Sequence, residues 1–351
     1  MALDKTDVNE SIQRQIRRLE IPAHWCSDEN PHAEEAHAAT LRLALRTGVI
    51  TESALPRFHR QKFARLAALA YPRAKVNELA LINDFCAYLF FNDDIAEEDV
   101  AFGKNPERLR RWLDAHVISL RTGRDTNPRD PLNAFLVDIR TRLLEKTTPQ
   151  WLERFVFDVD QYLMQGTYVG ALHWTRDTVP TVEAYHNQRL YDSALFPAQD
   201  LIELAEGVTL DEATIQSESV VELRCACNHV VAYTNDLFSY AKEVMRFESP
   251  NNLVHVTMVN EGVNTQTAAE RVVDKIHAEL ARFVEIAETL EHANPDPARE
   301  RYVAGMKSWM RGNLRWSVET GRYDVGRALS APMPAPASAS TSSSTLGAGW
   351  R

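Results

Sequence analysis

Residues 235–243 read Asn235-Asp236-Leu237-Phe238-Ser239-Tyr240-Ala241-Lys242-Glu243, and a helix through them decides how the whole chain is understood. Asn235, Ser239 and Glu243 fall at i, i+4 and i+8, each step advancing about 40° around an α-helix and about 6 Å along it. An amide oxygen, a hydroxyl and a carboxylate thus form one ridge of oxygen ligands. Lys242 stands directly before the carboxylate and Arg246 one turn beyond it. Oxygen ligands flanked by cations suit a hard divalent metal that bridges to phosphate. An exposed polar stripe with a Glu243–Arg246 pair would use the same residue types. The full order of residues is nevertheless improbable by chance in a chain of 351 residues.

A second acidic stretch lies upstream, in LFFNDDIAEED at 89–99. Asp93 and Glu97 share a helix face with Asp94 beside them, and such like charges repel unless a cation sits between them. Mg²⁺ fits that donor set. Alone, the stretch could equally be a solvated helix end paired with Arg110 and Arg111. Its placement favours the metal, because Phe85, Tyr88, Phe90 and Phe91 precede it. The helix is therefore expected to line an apolar cavity with carboxylates at its mouth.

Composition sets the frame around these two motifs. The chain is 44% hydrophobic and 25% charged, the balance of a folded protein with a sizeable core. Lys plus Arg number 39 against 49 Asp plus Glu, a net charge of −10, which excludes a general nucleic-acid binder. An anionic substrate stays open, since metal held by carboxylates reverses the local field. Gly and Pro are sparse, apolar residues recur at helical spacing, and no strand-like alternation appears, so the fold class is all-α. Cys26, Cys86, Cys225 and Cys227 make no disulfide framework. Cys225, Cys227 and His229 are expected to pack rather than to bind metal. The start, MALDKTDVNESIQRQIRRLE, has no apolar leader, and no apolar run of about 18 residues occurs. A cytoplasmic protein without a membrane span is expected.

Helical segments are predicted at about 33–48, 52–70, 74–96, 105–123, 129–146, 149–175, 181–206, 211–247, 265–295 and 298–326. The β-branched run NLVHVTMV at 252–259 is open between helix and ordered loop. No compositional break interrupts 30–326, which implies one domain after an N-terminal segment, 1–29. The Ala/Ser/Pro-rich stretch 327–351 is predicted to be a disordered tail.

With these motifs in place the chain resembles the bacterial branch of class I terpene synthases. NDLFSYAKE is similar to the family's NSE metal motif, and FFNDDIAEED to its aspartate-rich motif. Arg189, 46 residues before Asn235, matches the diphosphate-sensing arginine, with Asp192 and Ser193 at the linker and effector positions of an induced-fit triad. Arg322-Tyr323 matches the C-terminal Arg-Tyr pair, with Trp309, Asn313 and Trp316 in register before it. The resemblance spans about residues 30–326. It implies a single-domain helical bundle around a central apolar cavity, a monomer or homodimer, and Mg²⁺ as cofactor, about three ions with Mn²⁺ able to substitute. Two departures stand out. Asn92 precedes Asp93, and either Glu97 or Glu98 could complete the acidic motif. Ser193-Ala194 occupies the effector site where many relatives carry glycine.

The implied chemistry is Mg²⁺-assisted loss of diphosphate from a linear isoprenyl diphosphate, most simply farnesyl diphosphate, and cyclisation of the cation to a sesquiterpene. Asp93, Asp94, Glu97, Asn235, Ser239 and Glu243 would hold metal. Arg189, Lys242, Arg246, Arg322 and Tyr323 would hold the diphosphate. Phe90 and Trp316 would offer π faces to the cation, with Phe85 and Tyr88 as further candidates. Geranyl and geranylgeranyl diphosphate remain alternatives. A trans-prenyltransferase would need a second aspartate-rich motif, and a class II cyclase a DxDD acid that DVDQ at 158–161 lacks. A terpenoid-binding scaffold has no use for a polar ridge that costs desolvation.

Overall fold

The computed structural model describes residues 5–26, 28–293 and 295–323, and its helices start largely where the sequence punctuation places them. Asn105, Asp130, Thr148 and Asp296 each accept a backbone N–H of the first turn, and Pro106, Pro131, Pro149 and Pro297 follow them. Proline is tolerated there because its missing donor would be unpaired anyway. The caps therefore fix where each helix begins.

Among the described residues every element is helical. In chain order they are α1 (Lys5–Ile16), α2 (Ala33–Thr47), α3 (Leu55–Gln61), α4 (Phe63–Ala70), α5 (Val76–Glu98) and α6 (Val100–Gly103). There follow α7 (Pro106–Thr122), α8 (Pro131–Leu144), α9 (Pro149–Gln161), α10 (Tyr168–Arg176), α11 (Val182–Asp192) and α12 (Leu195–Glu206). The last are α13 (Glu212–Ile215), α14 (Glu218–Tyr240), α15 (Leu253–Glu261), α16 (Thr265–Ala293) and α17 (Pro297–Glu319). Wide π-type turns join α9 to α10 (Tyr162–Thr167) and extend α14 (Ala241–Arg246). A 3₁₀ turn, Gly321–Tyr323, follows α17.

α5 packs on α2, α4 and α8, while α14 packs on α16 and α17, and α17 on α4 and α12. One apolar core runs from Val8 to Tyr323. The ambiguous run at 252–259 is helical, as α15. The N-terminal segment also folds: Val8, Ile12 and Ile16, at i, i+4 and i+8, are buried, and α1 packs on α16. Each such aliphatic side chain contributes up to about 1.5–3 kcal/mol of burial. The tail predicted at 327–351 lies outside the described residues. None of the helices described is long and apolar enough to cross a membrane.

Predicted helices are broken at several points, 211–247 among them at Gln216–Ser217, and two of the breaks shape the cavity. The 52–70 segment splits at Lys62, whose φ is +52°. The split leaves carbonyls without helical partners, and Trp316 Nε1 donates to Gln61 O at 3.1 Å and Lys62 O at 3.0 Å. Thr320 Oγ1 donates to Gln61 O as well. The 181–206 segment splits at Ser193–Ala194, where Ala194 has φ +56°. Gly166, in the first π-type turn, lies against this second break. A Cβ there would come within 2.6 Å of Asp192 Cα, so only glycine permits the approach.

Candidate active site

A cavity opens between α5, α11, α12, α14 and α17 and encloses about 950 Å³ of space, its open mouth included. Each long helix contributes apolar residues first and polar ones a turn or more later. α5 supplies Cys86, Leu89 and Phe90, then Asp93 and Glu97. α14 supplies Val231 and Ala232, then Asn235, with Lys242 and Glu243 on its π-type turn. From α17 come Trp309, Asn313 and Trp316, followed by Arg322 and Tyr323. Helix dipoles add negative partial charge at C-terminal ends, which favours cations there.

The carboxylates divide into two groups. Asp94 is fully buried, with Arg57 at 2.8 Å, Arg322 at 2.9 Å and Lys242 at 3.1 Å. Burial alone would raise its carboxyl, but Arg322, Lys242 and Arg57 together hold it well below the usual range. Asp94 therefore anchors cations and does not line the cavity. Glu98 is drawn away likewise, to Arg57 at 2.8 Å and Lys242 at 3.5 Å. Asp93 and Glu97 do line the cavity, so of the two candidate third carboxylates it is Glu97 that faces it. Burial pushes the Glu97 carboxyl well up, and Asp93 and Glu243 push it further. Burial raises Glu243 too, with Asp236 adding and Arg189 opposing.

The polar wall across from them is tightly braced. Arg189 donates through Nε and Nη2 to Asp236 Oδ1 at 3.1 and 2.8 Å, and through Nη2 to Asn235 Oδ1 at 3.0 Å. Tyr185 and the Leu253 backbone N–H donate to the other Asp236 oxygen. Asn235 Nδ2 donates to the Tyr323 hydroxyl at 2.6 Å. Asn252 Nδ2 donates to Glu243 Oε2 at 3.0 Å. Asp192 stands 3.4 Å from Arg189 Nη1, its carboxyl pushed up to about 6 by burial against the pull of Arg189. Ser193 Oγ donates to Asn228 Oδ1 at 2.7 Å and accepts from the Leu195 N–H. The break after α11 is thereby locked to α14.

Arg322 donates through Nη2 to Asp93 and stands over the Phe90 ring, 4.8 Å from its centroid. Its Nη1 is buried and has no hydrogen-bond partner. Phe90 stacks on Phe63 at 4.8 Å and leans on Trp316 at 5.2 Å, and both Phe90 and Trp316 line the cavity. Phe85 and Tyr88 do not; they are core residues against Phe155 and His116. Arg246 is exposed, its guanidinium over the Phe247 ring, and it stands apart from the cavity. Ser239 is buried just off the lining, and its Oγ makes no hydrogen bond.

Several lining groups carried no signal of their own in the sequence: Tyr162, Asn251, Leu66, Leu195 and Ala198. Asp236 could have been found, since it sits inside the NDLFSYAKE motif, but only the fold reveals that it grips Arg189. Cys227 packs its sulfur toward Met306 O, and Cys225 and Cys227 make no metal cluster with His229 among the described residues.

A helical bundle whose cavity joins a carboxylate-and-amide mouth to an aromatic floor defines the class I terpene synthases. The chain belongs to that class and, within it, to terpene synthase family 2, whose metal-binding C-terminal model matches residues 84–282. It is 32% identical over 297 residues to (+)-T-muurolol synthase of Roseiflexus castenholzii, covering 84% of this chain and 90% of that protein. Pristinol synthase of Streptomyces pristinaespiralis is also 32% identical, over 88% of this chain and 84% of its own. Germacradien-4-ol synthase from Streptomyces citricolor shares the fold with TM-score 0.73 at 24% identity, over 86% of this chain and 98% of that one. A cucumene synthase variant superposes with TM-score 0.74 at 25% identity, over 84% and 97%. The protein is a terpene synthase, a diphosphate-releasing lyase with a metal-binding domain.

Proposed function

We propose that this chain cyclises farnesyl diphosphate to a sesquiterpene with Mg²⁺. The observation that carries the reading is that two buried groups have no hydrogen-bond partner, the Nη1 donor of Arg322 on the cavity lining and the oxygen of Ser239 just off it. Buried polar atoms are rarely left without partners. An orphaned oxygen beside Asn235 and Glu243 fits a cation. An orphaned donor beside Lys242 fits an anion.

The donor set of Asp93, Glu97, Asn235, Ser239 and Glu243 is all oxygen, which suits Mg²⁺. When bound, the metal supplies positive charge to the diphosphate as it departs. The chain's own part is to orient and shield. Arg189 presents a planar fork whose direction Asp236 fixes, and Lys242 and Arg322 bring cations pinned by Asp94. Their charge acts where negative charge develops on the leaving group. Below them Phe90, Trp309 and Trp316 keep water from the carbocation and offer it π faces. Cys86 also faces the cavity, and burial pushes its thiol up to about 12, so it stays neutral and poorly nucleophilic.

Support for the C15 substrate comes from relatives: the R. castenholzii protein and a 27% identical 4-epi-cubebol synthase of Streptosporangium roseum are both named as cyclising (2E,6E)-farnesyl diphosphate. The test is incubation with geranyl, farnesyl and geranylgeranyl diphosphates, with and without Mg²⁺, followed by gas chromatography–mass spectrometry. Cyclic C15 hydrocarbons or alcohols from farnesyl diphosphate, formed only with Mg²⁺, are expected. Turnover of the C20 substrate alone would overturn the assignment.

A further inference from the structure

Off the cavity lining, His186, His229 and Glu279 come together from α11, α14 and α16. One ligand atom of each lies within 4.8 Å of the others. We infer that these residues form a second metal site, specific for a borderline divalent cation of the Zn²⁺ class, that clips α11, α14 and α16 together.

The protonation pattern is the first support. His229 Nε2 faces the His186 carbonyl oxygen at 3.2 Å. A carbonyl only accepts, so Nε2 carries a proton, and in the neutral ring Nδ1 is a bare lone pair. That lone pair is buried, makes no hydrogen bond and faces Glu279 Oε1 at 3.5 Å. A lone pair against a carboxylate is repulsive unless something positive lies between them. The separation is long for a hydrogen bond. It is close to the roughly 3.3 Å between two ligands bound tetrahedrally at about 2.0–2.1 Å from zinc.

The surroundings supply the rest of a metal site. The His186 ring stacks on His229 with centroids 3.9 Å apart, and the Tyr233 hydroxyl lies 2.5 Å from His186 Nδ1. Partners of this kind set the orientation of ligating imidazoles. Either a proton on His229 Nδ1 or a metal ion supplies that positive charge, and zinc uptake separates the two. Glu279 Oε2 makes no hydrogen bond either, with Arg282 3.8 Å away and drawn to Glu222 at 3.1 Å. His186 and Glu279 are only half-buried, so an ion can enter from the surface. Two imidazoles and one carboxylate select zinc-like ions over Mg²⁺. The site is chemically distinct from the all-oxygen mouth. His186 precedes Arg189 by three residues and His229 precedes Asn235 by six, so the clip would brace the two helices that carry those residues.

The test is a Zn²⁺ titration of the full chain by calorimetry in excess Mg²⁺, which occupies the all-oxygen mouth. One equivalent of Zn²⁺ and a rise in melting temperature are expected. Both should vanish in His229→Gln and in Glu279→Gln, with helical circular dichroism checking that each is folded. Tyr233→Phe, which only orients a ligand, should weaken zinc by about tenfold. Should His229→Gln not fold, the half-buried Glu279→Gln still decides. No zinc uptake by the wild type, or an unchanged equivalent in the folded variants, would overturn the site. Neither result depends on turnover, so failure here leaves the sesquiterpene assignment untouched.

Discussion

Arg322 and Asp94, 228 residues apart in the sequence, meet at 2.9 Å in the interior, and through this pair the acidic motif is tied to the C-terminal end of the described chain. Lys242 and Arg57 share the same carboxylate. Breaking a buried pair strands its partner charges, at a cost of about 3–5 kcal/mol. Asp94→Asn is therefore expected to lower the melting temperature markedly, and to lower activity because Lys242 and Arg322 lose their anchor. Asp93 is 37% exposed at the mouth, so Asp93→Asn should spare the melting temperature and strike turnover. Thermal denaturation and steady-state rates on both variants check the split; equal melting temperatures would refute it.

Arg189 is held by Asp236 through Nε and Nη2, and the same Nη2 also reaches Asn235. Arg189→Lys keeps the charge but cannot reproduce the planar fork. A loss of about 100-fold or more in turnover is expected, the scale of a lost charge-stabilising donor. Asp236→Asn should mimic it in part, since the arginine then loses its guide. A near-normal rate in Arg189→Lys would make the residue a structural brace only.

The metal ridge is tested by stability as well as by rate. Mg²⁺ with inorganic diphosphate should raise the wild-type melting temperature, because a ligand bound only to the folded state stabilises it. Asn235→Leu and Glu243→Leu should abolish that rise and cut turnover by orders of magnitude while the helix stays intact. Near-wild-type turnover in both at limiting Mg²⁺ would rule out the ridge.

Local signals explain what was legible beforehand. Cap-and-proline pairs such as Asn105-Pro106 and Thr148-Pro149 announce helix starts because the first-turn donors need a side-chain oxygen. The i, i+4, i+8 spacing brought Asn235 and Glu243 to the cavity, but the π-type turn at Ala241–Arg246 departs from α-helical register. That register change helps explain why Arg246 lies outside the lining; Ser239, still within α14, precedes it. The breaks at Lys62 and Ala194 were hidden because non-glycine residues hold positive φ there, with no glycine to signal a turn. The sequence motif places Asp94 among the metal ligands, but Arg57, 37 residues away, claims it. Long-range pairing of that kind has no sequence period.

Phe90 and Trp316 separate ionisation from the fate of the cation. Their ring centroids are 5.2 Å apart, and Arg322 lies over the Phe90 ring. Trp316 is also fixed by the carbonyls of Gln61 and Lys62, so its ring cannot swing away. Removing either ring leaves the metal ridge and Arg189 intact, and diphosphate release should persist. The cation would lose a π face worth about 0.5–2 kcal/mol and gain space that water can enter. Phe90→Ala and Trp316→Ala should therefore shift products toward acyclic and early-quenched terpenes and alcohols more than they slow release. Trp316→Ala should also lower the melting temperature, since Lys62 O loses the indole donor and Gln61 O is left with Thr320. Asp93→Asn should do the reverse, slowing release with little change in product pattern. The paired measurement is diphosphate release rate and product profile on each folded variant. Wild-type profiles from both aromatic variants would make these rings ordinary core and move the cation's wall elsewhere, with Trp309 the next ring to test.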